Sequence, residues 1–127
     1  MIIGIGIDLV DIARVERLLA ERGERALKRL FTEGEAAYAA ERAQPARHLA
    51  ARVAAKEATF KALSGHREAR AISWRDMEVV RGEAGPPMLA LHGLAGRCAT
   101  ELGVTRSWIT LTHSQETAAA VVVLERD

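Results

Sequence analysis

The chain has 127 residues, of which 49% are hydrophobic and 28% are charged, values typical of one globular domain spanning residues 1–127. A net charge of only +1 and an aromatic content of 4% argue against a nucleic-acid-binding or membrane-binding protein. Cys98 is the single cysteine, which excludes an intrachain disulfide, and without a signal peptide or a membrane-spanning apolar run we expect a cytoplasmic protein.

The first predicted element is a strand over residues 2–8, in which isoleucines alternate with Gly4, Gly6 and Asp8. This alternation indicates a strand with one buried face. Glycine weakens a strand unless another group must approach its backbone closely. Asp8 ends the glycine side, where a carboxylate suits a metal ion but is also common in turns and helix caps. Asp11 is better placed to cap the next helix, which leaves Asp8 free.

Helical periodicity then extends over residues 12–30, with a break at Gly23. The polar faces of this segment carry more basic than acidic side chains, and Arg14, Arg22 and Arg25 belong to this basic excess. Such an excess is either an ordinary solvated face or a docking surface for an acidic partner.

Two further helices follow. Thr32 and Glu35 have the spacing of a capping box at the start of the first helix, and the second covers residues 46–63. On the longer helix, Glu57 and Lys61 are four residues apart and share one alanine-flanked face. They are either an ordinary ion pair that supports the helix or a carboxylate and an ammonium that hold a metal ion and a phosphate.

The rest of the chain alternates strands and one helix. We predict a hairpin from residues 74–80 and 88–91 around a turn at 82–87, a helix over 93–103, and strands over 106–112 and 117–124. This order predicts an α+β fold in which an antiparallel sheet packs with one long helix and several shorter ones. His113 lies in the last turn, where it is either structural or able to donate to a phosphate.

Four polar residues do not have an obvious structural role: Asp8, Glu57, Lys61 and His113. Two carboxylates, together with water and phosphate oxygens, make a typical Mg²⁺ site. Lys61 would neutralise phosphate charge. The sequence contains no P-loop, and nothing in it supports a nucleophilic triad, since Ser114 lacks a nucleophile elbow and Cys98 lacks a paired histidine.

The chain resembles the holo-acyl-carrier-protein synthases, the small trimeric class of 4′-phosphopantetheinyl transferases. The matching segments follow the family order over nearly the whole length. They are Gly4-Ile5-Gly6-Ile7-Asp8, Arg52, Ala54-Ala55-Lys56-Glu57-Ala58 with Lys61-Ala62, Asp76-Met77-Glu78-Val79, Gly85 to Pro87, and Thr112-His113-Ser114 with Ala118-Ala119-Ala120.

The resemblance implies Mg²⁺-dependent transfer of 4′-phosphopantetheine from coenzyme A to a serine of apo-acyl carrier protein, with release of 3′,5′-adenosine bisphosphate. It further implies a homotrimer with active sites between neighbouring subunits. The implied roles are Mg²⁺ binding by Asp8 and Glu57, catalysis by Glu57 and Lys61, coenzyme A binding by Arg52, Lys61, Gly85, Pro87 and His113, and carrier-protein docking by Arg14, Arg22 and Arg25.

Two other functions fit the same residues. One is a non-enzymatic phosphate- or nucleotide-binding module that uses its basic helix to assemble with a partner. The other is a Mg²⁺-dependent phosphohydrolase, which would release bisphosphate without any carrier protein. Glu57, acting directly or through a metal-bound water, is our first candidate for the general base of a transfer reaction.

Overall fold

The computed structural model describes residues 1–82 and 84–127. Its elements in chain order are β1 (Ile2–Asp11), α1 (Ile12–Arg22), α2 (Glu24–Leu30), α3 (Glu33–Ala40), α4 (Pro45–Ala62), β2 (Met77–Val80), β3 (Met88–Leu91), α5 (Gly93–Leu102), β4 (Arg106–His113) and β5 (Thr117–Glu125). Two short 3₁₀ turns, Ala69–Ala71 and Trp74–Asp76, precede β2. The predicted α+β class is confirmed, and none of the described helices is both long and apolar enough to cross a membrane.

The larger sheet is antiparallel with the strand order β1-β5-β4, and β2 pairs with β3 in a separate hairpin. On the central strand β5, Ala120 lies opposite Asp8 of β1, and Ala118 lies opposite His113 of β4. Directly opposed residues point to the same face of a sheet. The register therefore places Asp8 and His113 on one face, towards the same end of the sheet.

Helix α4 packs directly on the glycine face of β1. A Cβ atom added to Gly4 would collide with the carbonyl oxygen of Ala62, and one added to Gly6 would collide with that of Ala58. The predicted single buried face is therefore the glycine face, and the group that approaches it closely is the backbone of α4. This contact fixes the distance between Asp8 on the strand and the side chains of the helix.

The buried side of α4 consists mainly of alanines. Ala54, Ala55 and Ala58 are fully buried, since only a small side chain fits where helix backbone and sheet are this close. Of the larger apolar side chains in residues 49–63, Leu49 and Leu63 are buried, whereas Val53 and Phe60 are only half-buried.

Most predicted start and stop signals are confirmed. The capping box of Thr32 and Glu35 is complete, Gly23 separates α1 from α2, and Gly103 ends α5 in the left-handed conformation. Asp11 is the exception. It occupies the N-cap position of α1, but its side chain makes no capping hydrogen bond.

Some boundaries differ from the prediction. The first hairpin strand begins at Met77, because Trp74–Asp76 forms a 3₁₀ turn, and His113 is the last residue of β4. Burial alternates along Thr117–Glu125, so β5 is buried on one face and half-buried on the other. Of the predicted turn at 82–87, Glu83 lies outside the described residues.

Candidate functional site

Lys61 bridges β1 and α4. Its Nζ lies 3.1 Å from Oδ1 of Asp8 and donates a hydrogen bond of 2.8 Å to the carbonyl oxygen of Ile7. Lys61 thus pairs with Asp8 rather than with Glu57 on its own helix. The Lys61 side chain is 54% exposed, so this ion pair adds little stability and is open to exchange with an entering anion.

Glu57 supplies a second carboxylate one turn before Lys61 on the same side of α4. It is half-buried, and in the described part of the chain no hydrogen bond or ion pair engages its carboxylate. Asp8 and Glu57 therefore offer oxygen ligands from two different elements beside the half-exposed ammonium of Lys61. This donor set fits Mg²⁺, which usually takes one or two carboxylates together with phosphates and water.

Lys56, the neighbour of Glu57, has a structural role. Its Nζ lies 2.8 Å from Oε1 of Glu35 and also donates to the carbonyl oxygens of Trp74 and Met77. Both charged side chains are fully buried. Burial lowers the pKa of Lys56, and the charge of Glu35 opposes this shift. Because an ammonium has three N–H groups, Lys56 has none left for a ligand.

Glu35 extends this buried connection to other elements. Its Oε1 accepts from the backbone N–H of Thr32 at 3.0 Å, and its Oε2 accepts from that of Val79 at 2.9 Å. One carboxylate thereby joins the start of α3, the middle of α4 and strand β2. Sequence reasoning missed this role of Glu35, because the capping box already accounted for its side chain.

Arg52 lies one turn before Lys56 on α4 and is 2% exposed. Its guanidinium packs 4.4 Å from the ring centroid of Tyr38, and Arg42 lies 3.9 Å from the same ring. One nitrogen donates to the carbonyl oxygen of His48 at 3.2 Å, whereas Nε has no partner among the described residues. Burial is the main cause that lowers the pKa of Arg52.

His48 completes this group, which we call the arginine cluster: Tyr38, Arg42, His48 and Arg52. The rings of His48 and Tyr38 meet edge to face at 5.8 Å. Burial lowers the pKa of His48, and the charge of Arg52 adds to the effect, as does His113. Such a concentration of positive groups, with a buried unpaired donor, attracts an anion.

Sequence reasoning identified Arg52 and His113 in this region but missed Tyr38, Arg42 and His48. A signal was available, because Tyr38 and Arg42 are four residues apart, as are His48 and Arg52. That spacing places His48 and Arg52 on one face of α4, whereas Arg42 lies just beyond the end of α3.

The three predicted docking arginines are all exposed. Arg14 and Arg22 lie two turns apart on one face of α1. Arg22 and Arg25 line a shallow cavity of about 390 Å³ together with Leu18 and Trp74. The structure therefore brings Arg22 and Arg25 together around an apolar patch and leaves Arg14 on the adjoining turn.

Gly85 and Pro87 lie in the loop between β2 and β3. Gly85 has φ = 112°, a left-handed conformation that favours glycine, and it is exposed. In the described part of the chain, no hydrogen bond or ion pair connects Gly85 or Pro87 to Asp8 or Glu57. The structure of one chain does not bring this loop into the site.

A separate cluster of His66, Glu68 and Glu101 has its ligand atoms within 4.8 Å of one another. Arg97 pairs with both carboxylates, at 2.6 and 3.7 Å. The Nδ1 atom of His66 accepts from the backbone N–H of Glu68, so Nε2 carries the proton and donates to Glu101. The polar groups of the cluster therefore find their partners within it. We interpret the cluster as a structural link between α5 and the segment after α4.

Comparison with known proteins shows the family to which the chain belongs. The model of the 4′-phosphopantetheinyl transferase superfamily matches residues 4–122. The holo-[acyl-carrier-protein] synthase of Geobacter sulfurreducens is 47% identical over 127 residues, covering 99% of each chain.

Two solved structures share the fold. The holo-[acyl-carrier-protein] synthase of Neisseria meningitidis superposes with a TM-score of 0.85 at 33% identity, covering 99% of this chain and 100% of that one. The enzyme of Bacillus anthracis, solved in complex with coenzyme A (3′,5′-ADP), has a TM-score of 0.78 at 32% identity, covering 100% and 99%. The chain therefore belongs to the 4′-phosphopantetheinyl transferase superfamily.

Proposed function

We propose that this protein is a holo-acyl-carrier-protein synthase. It transfers 4′-phosphopantetheine from coenzyme A to a serine of apo-acyl carrier protein and releases 3′,5′-adenosine bisphosphate. The observation that carries this proposal is the junction of β1 and α4, where Lys61 pairs with Asp8 and Glu57 lies one helical turn before Lys61. The names of the relatives and the coenzyme A complex of the Bacillus anthracis enzyme support it.

Asp8 and Glu57 would hold Mg²⁺ on the pyrophosphate of coenzyme A. The bound ion would stabilise the negative charge that develops on the leaving bisphosphate. Lys61 would leave Asp8 and contact a phosphate oxygen, since breaking an exposed ion pair costs little free energy. Glu57 would take the proton of the attacking serine hydroxyl, directly or through water.

The remaining phosphate of coenzyme A would bind at the arginine cluster. Arg52 is buried without a carboxylate partner among the described residues, and His113 lies on the same side of the sheet. We propose that both residues contact phosphate. Gly85 and Pro87 would flank the adenosine, which requires that their loop completes a site on another copy of the chain.

A homotrimer is part of this proposal. The face of the larger sheet that points away from α4 supports association between copies of the chain. Ile5, Ile7 and Leu9 of β1 are 61% to 69% exposed, and Trp108 of β4 is 56% exposed. Alternating residues on one face of two strands thus form an apolar surface, which monomeric proteins rarely expose. Further copies of the chain that cover this surface would bring the loop of one subunit to the site of the next.

The acidic carrier protein would dock on Arg14, Arg22 and Arg25. Arg22 and Arg25 line the cavity of α1 and α2, and Arg14 is exposed on α1. The cytoplasm is the location that we propose, on the compositional grounds given above.

The direct test is mass spectrometry of apo-acyl carrier protein after incubation with the enzyme, coenzyme A and Mg²⁺. We expect a phosphopantetheine adduct on the carrier. Nucleotide binding without an adduct would favour the binding module. Release of bisphosphate in the absence of the carrier would favour the phosphohydrolase.

A further inference from the structure

Glu78 of β2 joins two other parts of the fold through its two carboxylate oxygens. Oε2 accepts a hydrogen bond of 2.6 Å from the hydroxyl of Thr32 at the start of α3, and Oε1 lies 2.8 Å from Nε2 of His92, directly after β3. We propose that Glu78 is a positioning residue, which fixes the β2–β3 hairpin against α3 and so shapes the binding surface for the adenosine end of coenzyme A. This inference rests on the proposed function and adds a residue to it.

The hairpin and the arginine cluster share a small cavity of about 120 Å³. One wall comes from α3 and α4 and consists of Gly34, Tyr38 and Arg52, and the other comes from the hairpin and consists of residues 78–81. The two walls are close, since a Cβ atom added to Gly34 would lie 3.4 Å from Oε2 of Glu78. The hydrogen bond between Glu78 and Thr32 crosses from one wall to the other and therefore sets the width of the cavity.

The carboxylate of Glu78 is held by its two partners and not by the arginines. Burial raises the pKa of Glu78, but the hydrogen bonds from Thr32 and His92 outweigh this effect and hold the pKa below its ordinary value. An ionised carboxylate only accepts, so Nε2 of His92 is the donor. Among the described residues, Glu78 forms no ion pair with Arg52. The charge of Arg52 thus stays available for a phosphate.

A second hydrogen bond explains how Glu78 controls the orientation of the hairpin. Oε2 of Glu35 accepts from the backbone N–H of Val79, which holds β2 at one point. One such bond allows the hairpin to pivot. The connection from Thr32 through Glu78 to His92 adds a point at the end of β3, so both strands are held. The loop that carries Gly85 and Pro87 extends from these two strands, and its direction follows from theirs.

This arrangement separates the adenosine end of the donor from the reacting phosphorus. The surfaces proposed for the adenosine end are Arg52 and the loop of the hairpin, and Glu78 acts on both through the position of β2. Glu57, proposed to act at the pyrophosphate, does not line the cavity beside Arg52. Loss of Glu78 should therefore weaken donor binding and leave the chemical step unchanged.

Glu78→Ala in the full-length enzyme tests the proposal. We expect the affinities for coenzyme A and for adenosine 3′,5′-bisphosphate, measured by calorimetry, to fall by the same factor of about ten. The affinity for 4′-phosphopantetheine, which lacks the adenosine end, should equal that of the wild type, and kcat at saturating coenzyme A should stay constant. Unchanged binding of adenosine 3′,5′-bisphosphate, or an equal loss for all three ligands, would overturn the proposal.

Glu78→Gln provides the rescue. Its amide oxygen can accept from His92 and its amide N–H can donate to Thr32, so the connection is kept without the charge. We expect affinities close to those of the wild type, and a loss as large as that of Glu78→Ala would contradict a positioning role. If Glu78→Ala does not fold, His92→Ala is judged by the same three ligands, because it removes a half-exposed side chain and only one of the two bonds.

Glu101→Ala is the matched control. It breaks a similar carboxylate–histidine hydrogen bond, 2.7 Å to His66, which lies outside the cavity beside Arg52. It should change none of the three affinities, and a loss equal to that of Glu78→Ala would overturn the proposal. The proposed function has its own test, adduct formation by the wild type, so its failure is distinguishable from that of the role of Glu78.

Discussion

The ammonium of Lys56 lies 2.8 Å from Oε1 of Glu35, and neither side chain is exposed to solvent. The next residue, Glu57, faces the candidate site, so one turn of α4 contains both a structural lysine and a functional carboxylate. The lysine available to a substrate is Lys61, whose side chain is 54% exposed. The difference in burial thus gives Lys56 and Lys61 different roles, which the sequence alone does not reveal.

Lys56→Met should destabilise the protein strongly. The substitution leaves the carboxylate of Glu35 buried without its counter-charge and removes one donor each from the carbonyl oxygens of Trp74 and Met77. Breaking a buried pair from one side costs about 3–5 kcal/mol. We expect a loss of this size in the free energy of unfolding, measured by urea denaturation at pH 7.

Lys61→Met is the control for this prediction. Its ion pair is exposed, so we expect a change in unfolding free energy of less than about 1 kcal/mol. The transferase activity of the variant should nevertheless fall, because Lys61 is proposed to contact a phosphate of coenzyme A. Equal stability losses in the two variants would contradict the assignment of separate roles.

Gly6→Ala should disrupt the packing of α4 on β1. The added methyl group would collide with the carbonyl oxygen of Ala58, which is backbone and cannot rotate away. Overpacking of this kind costs about 1–3 kcal/mol or more. Thermal unfolding should show the loss. Gly65→Ala provides the comparison, since nothing lies within 4 Å of its added Cβ, and it should leave the melting temperature nearly unchanged.

Local patterns in the sequence predicted most elements of the fold. The capping box at Thr32 and the glycine stop at Gly103 are local signals, and the structure confirms both. The buried side of α4 was harder to predict. Hydrophobic periodicity favours large residues, whereas the close approach of Gly6 selects alanines such as Ala58, and that contact joins residues far apart in sequence.

The candidate site was only partly predicted, because it too depends on contacts between residues that are far apart in sequence. Spacing along α4 suggested a Glu57–Lys61 pair, but the structure shows Lys61 bonded to Asp8, 53 residues away in sequence. The arginine cluster likewise combines residues from separate segments. Such contacts follow from tertiary packing, which no local pattern in a single sequence reports.

Loss of either proposed metal ligand should abolish transfer. Asp8→Asn and Glu57→Gln keep the size of each side chain but remove the charge that Mg²⁺ requires. We expect no adduct on the carrier protein in a Mg²⁺-containing assay, with an unchanged circular dichroism spectrum and melting temperature. In the wild type, excess chelator should stop the reaction, and added Mg²⁺ should restore it. Full activity of either variant in Mg²⁺ would exclude the site.

Arg14→Ala should weaken the interaction with the carrier protein. The side chain is exposed on α1, away from the groups proposed to contact coenzyme A. We expect KM for the carrier to rise several-fold and KM for coenzyme A to stay constant, and the difference from the wild type should shrink at high salt. Arg106→Ala, at the exposed start of β4, is the control and should change neither constant. Equal changes in both KM values would contradict a docking role.

His48 should report ligand binding at the arginine cluster. Burial, reinforced by the charge of Arg52, lowers its pKa below the ordinary value of 6.5. Because the folded state binds the proton less readily than the unfolded state, the stability from this group is present above 6.5 and is lost as pH falls from that value through the lower pKa of the folded state. A bound phosphate would offset the arginine charge and raise the pKa. NMR titration of the imidazole should therefore give a low pKa in the free enzyme and a higher one with adenosine 3′,5′-bisphosphate; an unchanged pKa would place the phosphate elsewhere.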